Sequence, residues 1–297
     1  MALTGEIAAL ATASCWVVTA MSFETAGRRI GSLAVNILRL MIAFVLLAAV
    51  GVATRGRAIP TDFGAHEWTW LGLSGLVGFT FGDLTLFRAL VLIGSRLSTL
   101  LMALVPPMAA LIGLVALGET LSAFDLTGMA LTLAGVAIAV LERPDENAKR
   151  TRRDTVVGVA LGVCGAVGQA AGLILSKFGM GDRDPFASTH IRVIAGMAGF
   201  AVLYLVIGWW PKVIAGARDM AAMKALGVGS FFGPFLGVSL SLVAVQHTQT
   251  GVAATIMAMT PILILVPTVA LGRERVTWRA FAGAFLAIAG VAILLLY

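Results

Sequence analysis

Ten apolar segments of about 20 residues, the length at which a helix crosses a bilayer, follow one another along this chain. Their expected bounds are 6–22, 33–53, 68–92, 97–117 and 123–141, then 155–175, 187–209, 223–245, 252–271 and 278–296. These runs are apolar on every face, so they lack the alternation of barrel strands and read as helices. Charged residues make up 12% of the chain, about half the share found in a soluble domain. Trp68, Trp70, Trp209, Trp210 and Trp278 fall near segment ends, where indole rings favour the membrane interface. The expected fold is therefore an all-α integral membrane protein, multi-pass, in the cell membrane. The first segment has no basic stretch before it and has a counterpart later in the chain, so it reads as a retained helix.

One hydrophilic stretch, 142–154, holds Arg143, Lys149, Arg150, Arg152 and Arg153 and divides the segments five and five. It reads as a basic linker between a first unit, 1–141, and a second, 155–297. A constant shift of 155 residues pairs Gly72, Gly78 and Gly82 with Gly227, Gly233 and Gly237, Pro106 with Pro261, and Glu119 with Glu274. The same shift lays Ala134–Ile138 on Ala289–Ile293. Matched proline, glutamate and glycine under one shift mark an internal repeat. Five is an odd number, so the second unit enters the membrane from the opposite side. Inverted repeats of this kind are a common plan of secondary transporters, with the substrate held near mid-membrane between the halves.

Further details converge. Arg39 and Arg192 lie early in the second helix of each half, and Trp16 lies within the first helix. Pro106 and Pro261 sit inside the fourth helices, each followed by a glutamate just beyond the helix end. The fifth helices carry glycines seven residues apart. In this order and duplication the chain resembles the drug/metabolite transporter superfamily, specifically its EamA-type ten-helix members. The resemblance implies a metabolite carrier, often an exporter of amino acids or related compounds. It also implies a cavity lined by the first four helices of each half, a peripheral fifth helix, and both termini in the cytoplasm.

Asp83 falls well inside the third helix, where an acid costs about 2.5–3.5 kcal/mol on insertion scales. It is expected to bind a substrate ammonium or a coupling proton, or else to pair with Arg39 or Arg88. Arg39 and Arg192 have the fork geometry for a carboxylate, against which stands snorkelling to the interface, since both lie within two turns of a helix start. A structural role is the favoured expectation for both. Trp16, Asn36 and Gln169, with Ser14, Ser22 and Thr255, are candidates for a cavity wall, although polar side chains in membrane helices more often bond to a backbone. Pro106, Pro107 and Pro261 remove backbone hydrogen bonds and are expected to kink helices four and nine. The paired glycines of helices five and ten could serve a homodimer, with packing inside one chain preferred; monomer and homodimer are equally compatible with the sequence.

Other classes fare less well. Gly72-Leu73-Ser74-Gly75 superficially matches a serine nucleophile motif, but His66, His190 and His247 fall in loops or at span ends, away from a base position. The sequence holds no H-E-x-x-H, and Cys15 and Cys164 lie in apolar segments. No metal, cofactor or enzymatic activity is expected. The net charge of +6 resides in short loops, so the lipid bilayer and a small-molecule substrate are the expected partners, and nucleic acid is not. A receptor or binding protein without transport is the main alternative. Basic residues crowd the loops after the odd-numbered helices, which by the positive-inside rule puts both termini outside the cytoplasm, opposite to the resemblance. A reporter fused after Tyr297 decides between them: alkaline phosphatase activity is expected from the charge bias, and fluorescence of a cytoplasm-dependent reporter would reverse it.

Overall fold

The structure, a computed structural model, describes residues 3–141, 151–264, 266, 267 and 277–296. Residues 142–150 of the expected linker, together with Arg273, Glu274 and Arg275, lie outside the described residues, as does the side chain of Arg96. The apolar helices are α1 (Thr4–Ile30), α2 (Ser32–Arg55), α3 (Ala65–Ala89), α4 (Leu100–Leu117), α5 (Ala123–Leu141), α6 (Arg152–Met180), α7 (Pro185–Val206), α8 (Met220–His247), α9 (Thr250–Leu263) and α10 (Trp278–Leu296). Eight meet the length and composition needed to cross a membrane, and two apolar stretches are shorter as described, Ala123–Ala139 of α5 and Thr250–Leu263. A short connecting helix, Trp210–Ala217, precedes α8 and was not legible as a separate element.

Two bounds differ from expectation in a way that matters. Helix α1 runs on through Arg28 and Arg29, which were expected in a loop, and Gly31 alone joins it to α2. Gly31 has φ 80°, a backbone conformation that glycine adopts without steric cost. Helix α6 likewise continues past Lys177 to Met180. At its other end, Thr151 caps α6 by accepting from the Asp154 N–H.

The contacts give the relative directions of α1, α3, α4, α6 and α8. Along α6, Gly179 faces Trp70, Gly172 faces Gly78, Gly168 faces Gly82 and Gly158 faces Ile93, so α3 runs antiparallel to it. Gly162 then meets Leu101, and Lys177 meets Glu119, so the chain has turned and α4 runs parallel to α6. Helix α1 lies antiparallel to α8, with Gly5 by Thr248, Gly237 by Trp16 and Gly229 by Phe23. Each half therefore packs its first helix against the third helix of the other half. The fourth helices touch where Gly251 meets Ala110, and the fifth helices where Gly135 meets Gly283. The two halves are inverted with respect to each other and interlocked. Thr4 and Leu296 lie on one face, termed here the terminal face, and the chain passes from α5 to α6 on the opposite, linker face.

Asp219 ties two of these elements on the linker face. It caps α8 through the N–H groups of Ala221 and Ala222 and accepts from Arg29 at the end of α1. The Ala222 N–H and the Arg29 guanidinium hold its carboxyl below the usual carboxylate range.

Helices in lipid are held by close approach rather than by burial of apolar surface. A Cβ on Gly172 would fall 2.9 Å from the Gly78 Cα. The glycine pairs of α5 and α10 serve the same purpose within the chain: a Cβ on Gly135 would fall 2.5 Å from the Gly283 carbonyl oxygen. Gly172→Ala is expected to cost about 1–3 kcal/mol by overpacking and to lower the unfolding midpoint in detergent. Gly27→Ala, with nothing within 4 Å of its Cβ position, is expected to leave that midpoint unchanged or raise it by the propensity gain of about 0.5–1 kcal/mol. Equal midpoints for the two variants would refute glycine-mediated packing of α3 on α6.

Candidate functional site

Both third helices change winding at the same place. Leu76–Gly82 in α3 and Phe231–Gly237 in α8 are π-helical, and the two segments are related by the repeat shift. A π-turn widens the helix locally and is often found at functional sites. Pro234 lies inside the second segment. The residue immediately after each is Asp83 in one half and Val238 in the other. Both face a cavity of about 420 Å³ between the halves. The backbone plan is thus symmetric and the chemistry is not. The sequence showed the glycines of these segments but not their winding, since glycine spacing alone does not distinguish a π-turn from a close helix contact.

The cavity draws its walls from α1, α3, α4 and α6–α9, with Val136 of α5 also reaching it. On α4 the helix breaks into a turn at Ala103 and Leu104, and on α9 at the repeat-related Ala258 and Met259. Pro106 and Pro261 begin the helical segments that follow, and both line the cavity, whereas Pro107 is exposed. Proline has no N–H to offer the carbonyl four residues back. At Met257 that carbonyl is taken instead by the Thr260 hydroxyl, at 2.9 Å.

Asp83 is 7% exposed, and each oxygen of its carboxylate accepts a hydrogen bond. Oδ2 accepts from Arg39 Nη2, and Oδ1 accepts from Gln169 Nε2 at 2.9 Å. Gln169 also donates to the Gly78 carbonyl within the π segment, at 3.3 Å. Arg88, the other expected partner, is exposed. Arg39 and Arg192 do not snorkel. Arg39 is buried against Asp83, with its guanidinium 5.6 Å from the Phe23 ring. Arg192 is 5% exposed and stands 5.0 Å over the Phe79 ring. Its Nε has no hydrogen-bond partner among the described residues. Its main chain lies so close to Gly75 that any Cβ there would collide with it. Position along a helix gave no depth for these side chains, because the helix starts themselves are tucked against the neighbouring half.

The remaining candidates separate. Trp16 lines the cavity, its indole resting against Gly237 of α8. Asn36 is fully buried and does not line the cavity; neither its Nδ2 nor its Oδ1 is paired among the described residues. Ser14 and Thr255 bond to carbonyls one turn back in their own helices. Ser74, of the serine motif, is fully buried between the Gly172 carbonyl and the Ser176 hydroxyl, at 2.6 and 2.7 Å. The histidines lie elsewhere: His190 against Phe44, His66 beside Phe178, and His247 on its own Val243 carbonyl. Among the described residues no group of three potential metal ligands gathers.

On the terminal face the cavity is backed by a polar network. Glu119, just past α4, accepts from Lys177 Nζ at 2.7 Å and from the Thr250 hydroxyl and N–H at 2.6 and 2.9 Å. Lys177 also donates to the Thr248 carbonyl, at 2.8 Å. This network joins α4 and α6 to the start of α9, across the two halves. Lys177 had earned little weight from sequence, where it read as a span-end cation.

Comparison with known proteins follows the same lines. No curated protein matches the chain significantly. Among solved structures, the crystal structure of another protein superposes with a TM-score of 0.75 at 17% identity, covering 99% of this chain and 96% of its own. That likeness shows the fold. The profile of the EamA-like transporter family matches residues 3–141 and again 156–296. With both halves matched and the inverted ten-helix plan in place, this multi-pass membrane protein belongs to the EamA-like transporter family, within the drug/metabolite transporter superfamily.

Proposed function

We propose that the protein is a secondary carrier of the cell membrane that exports small metabolites, such as amino acids or related compounds, by alternating access. One observation carries the reading. A cavity of about 420 Å³ lies between two inverted halves, is lined by the charged side chains of Asp83 and Arg192, and is backed on one face by a network that bridges the halves. Membership in a transporter family supports it. Charges inside membrane helices commonly mark a substrate or ion pathway. The sequence carries no ATP-binding motif, so the driving force is a gradient. No chemistry is assigned to the site, and the serine motif has no base beside it.

In this reading the Glu119 network is the closed barrier on the terminal face. Opening that face separates Glu119 from Lys177 and Thr250. The proline-bordered breaks in α4 and α9 are the points about which those helices tilt. Trp16, Asp83, Gln169 and Arg192 form the site the solute visits, and Arg39, behind Asp83, holds α2 to α3.

Counterflow into proteoliposomes preloaded with pooled amino acids and small metabolites tests the proposal. Labelled solute is expected to accumulate in proteoliposomes and not in empty liposomes; silence across broad pools from folded protein would favour a binding role without transport.

The role of Asp83 needs separate variants. Asp83→Asn leaves Arg39 buried without its counter-ion, a change that costs about 3–5 kcal/mol when one partner of a buried pair is removed. The single variant is expected to be destabilised and inactive. The double variant Arg39→Gln with Asp83→Asn, neutral at both positions, is expected to regain most of the unfolding midpoint while counterflow stays absent. Recovery of counterflow in the double variant would confine the pair to a structural role.

A further inference from the structure

The charges at the cavity do not balance. Of the charged residues that line it, Arg192 and Asp83, the carboxylate is already paired with Arg39 from behind the wall, so two guanidinium groups share one acid among the described residues. Each oxygen of that carboxylate accepts one hydrogen bond, from Arg39 and from Gln169. Arg192 faces the cavity with its Nε unpaired, and Asp83 is its electrostatic neighbour rather than its hydrogen-bond partner. Arg192 has the Phe79 ring beneath it but no anion in hydrogen-bond contact among the described residues, and a buried cation in a membrane protein without such a counter-ion is costly. The missing partner is an anion.

Resting on the reading of this cavity as the transport site, we infer that it selects solutes bearing one carboxylate on an apolar body, bound at Arg192, with no requirement for an amino group. A guanidinium fork matches a carboxylate with two parallel hydrogen bonds. One negative charge neutralises the surplus, whereas a phosphate dianion would overshoot it. A solute ammonium would have to share the Asp83 oxygens with Arg39 and Gln169. The remaining wall near the site is apolar, from Leu173, Met102, Met257 and Val238. A cavity of about 420 Å³ falls within the usual range for small ligands.

The test compares probes on the purified protein in detergent, by titration calorimetry: 3-phenylpropanoate, phenylalanine and phenethylamine share a phenyl ring on a two-carbon spacer, and phenyl phosphate supplies an aromatic dianion. Hexanoate serves as an acid with a different body. At least one of the two amine-free acids is expected to bind, with 3-phenylpropanoate at least as tight as phenylalanine and phenethylamine at least about tenfold weaker. Losing charge-assisted hydrogen bonds corresponds to about a 10- to 100-fold loss, which is the weakening expected for the acid in Arg192→Gln. Arg192→Lys keeps the charge and loses the fork, so it serves if the glutamine variant does not fold; acid binding about tenfold weaker is expected there.

Any of four results overturns the inference: neither amine-free acid binding, phenethylamine binding as tightly as the acid, phenyl phosphate binding more tightly, or acid affinity unchanged in a folded Arg192 variant. The two proposals fail separately. Acid binding without counterflow would remove the carrier and leave the carboxylate site. Counterflow of amines without acid binding would do the reverse.

Discussion

In hydrocarbon an apolar side chain gains little by leaving lipid for protein, so the helices of this chain must hold one another by fit. The fit is made where side chains are absent. Glycines of α6 lie on glycines of α3, and α8 presents Gly229, Gly233 and Gly237 to α1. These contacts bring backbone to backbone, so dispersion and weak polar contacts act at short range. They also decide the architecture, because in both cases the first helix of one half is matched to the third helix of the other. The halves cannot be read as separate bodies that happen to touch. Each supplies the surface the other lacks.

That interlock sets the conditions for the cavity. The π segments widen α3 and α8 at the level where α6 and α1 press closest, and the next residue on each is turned to the space between the halves. Evolution of an inverted repeat gives two equivalent positions, and here one holds an acid and the other a valine. The acid meets Arg39 from α2 and Gln169 from α6, whose shifted counterparts are Ile194 and Ser14, so the polar groups of three helices depart from the repeat together. Arg192, opposite Ile37 under the same shift, arrives from α7, fixed through its main chain by Gly75. The polar site is thus the product of several departures from symmetry gathered at one place and one close backbone contact.

Much of this was legible in the residues. The shift of 155 exposed the repeat, and the odd number of helices per half dictated the inversion. Pro106 and Pro261 marked the breaks in α4 and α9 to within a few residues. Asp83 stood out because its cost in lipid demanded a partner, and Arg39 was one of the two partners named. Other features were hidden for physical reasons. The depth of Arg39 and Arg192 depends on how far the neighbouring half covers a helix start, which a linear sequence does not encode. Lys177 looked like an interfacial cation because α6 outruns its apolar segment and carries that side chain to Glu119. The π winding depends on tertiary contact, not on composition.

The Glu119 network has a consequence for a carrier built on a repeat. Under the shift that maps one half onto the other, Lys177, Thr248 and Thr250 correspond to Ser22, Ile93 and Ser95. The counterpart set thus lacks the cation, while Ile93 keeps the main-chain carbonyl that Thr248 offers and Ser95 keeps a hydroxyl. In the proposed cycle the repeat therefore supplies no second lysine for an equivalent barrier on the other face. In a protein that alternates between two mirror-like arrangements, unequal latches skew the resting population towards the arrangement with the stronger one. They also make the two halves of the cycle run at different speeds. The molecule would behave as a turnstile with one stiff and one loose stop, its bias written into one lysine rather than into the fold.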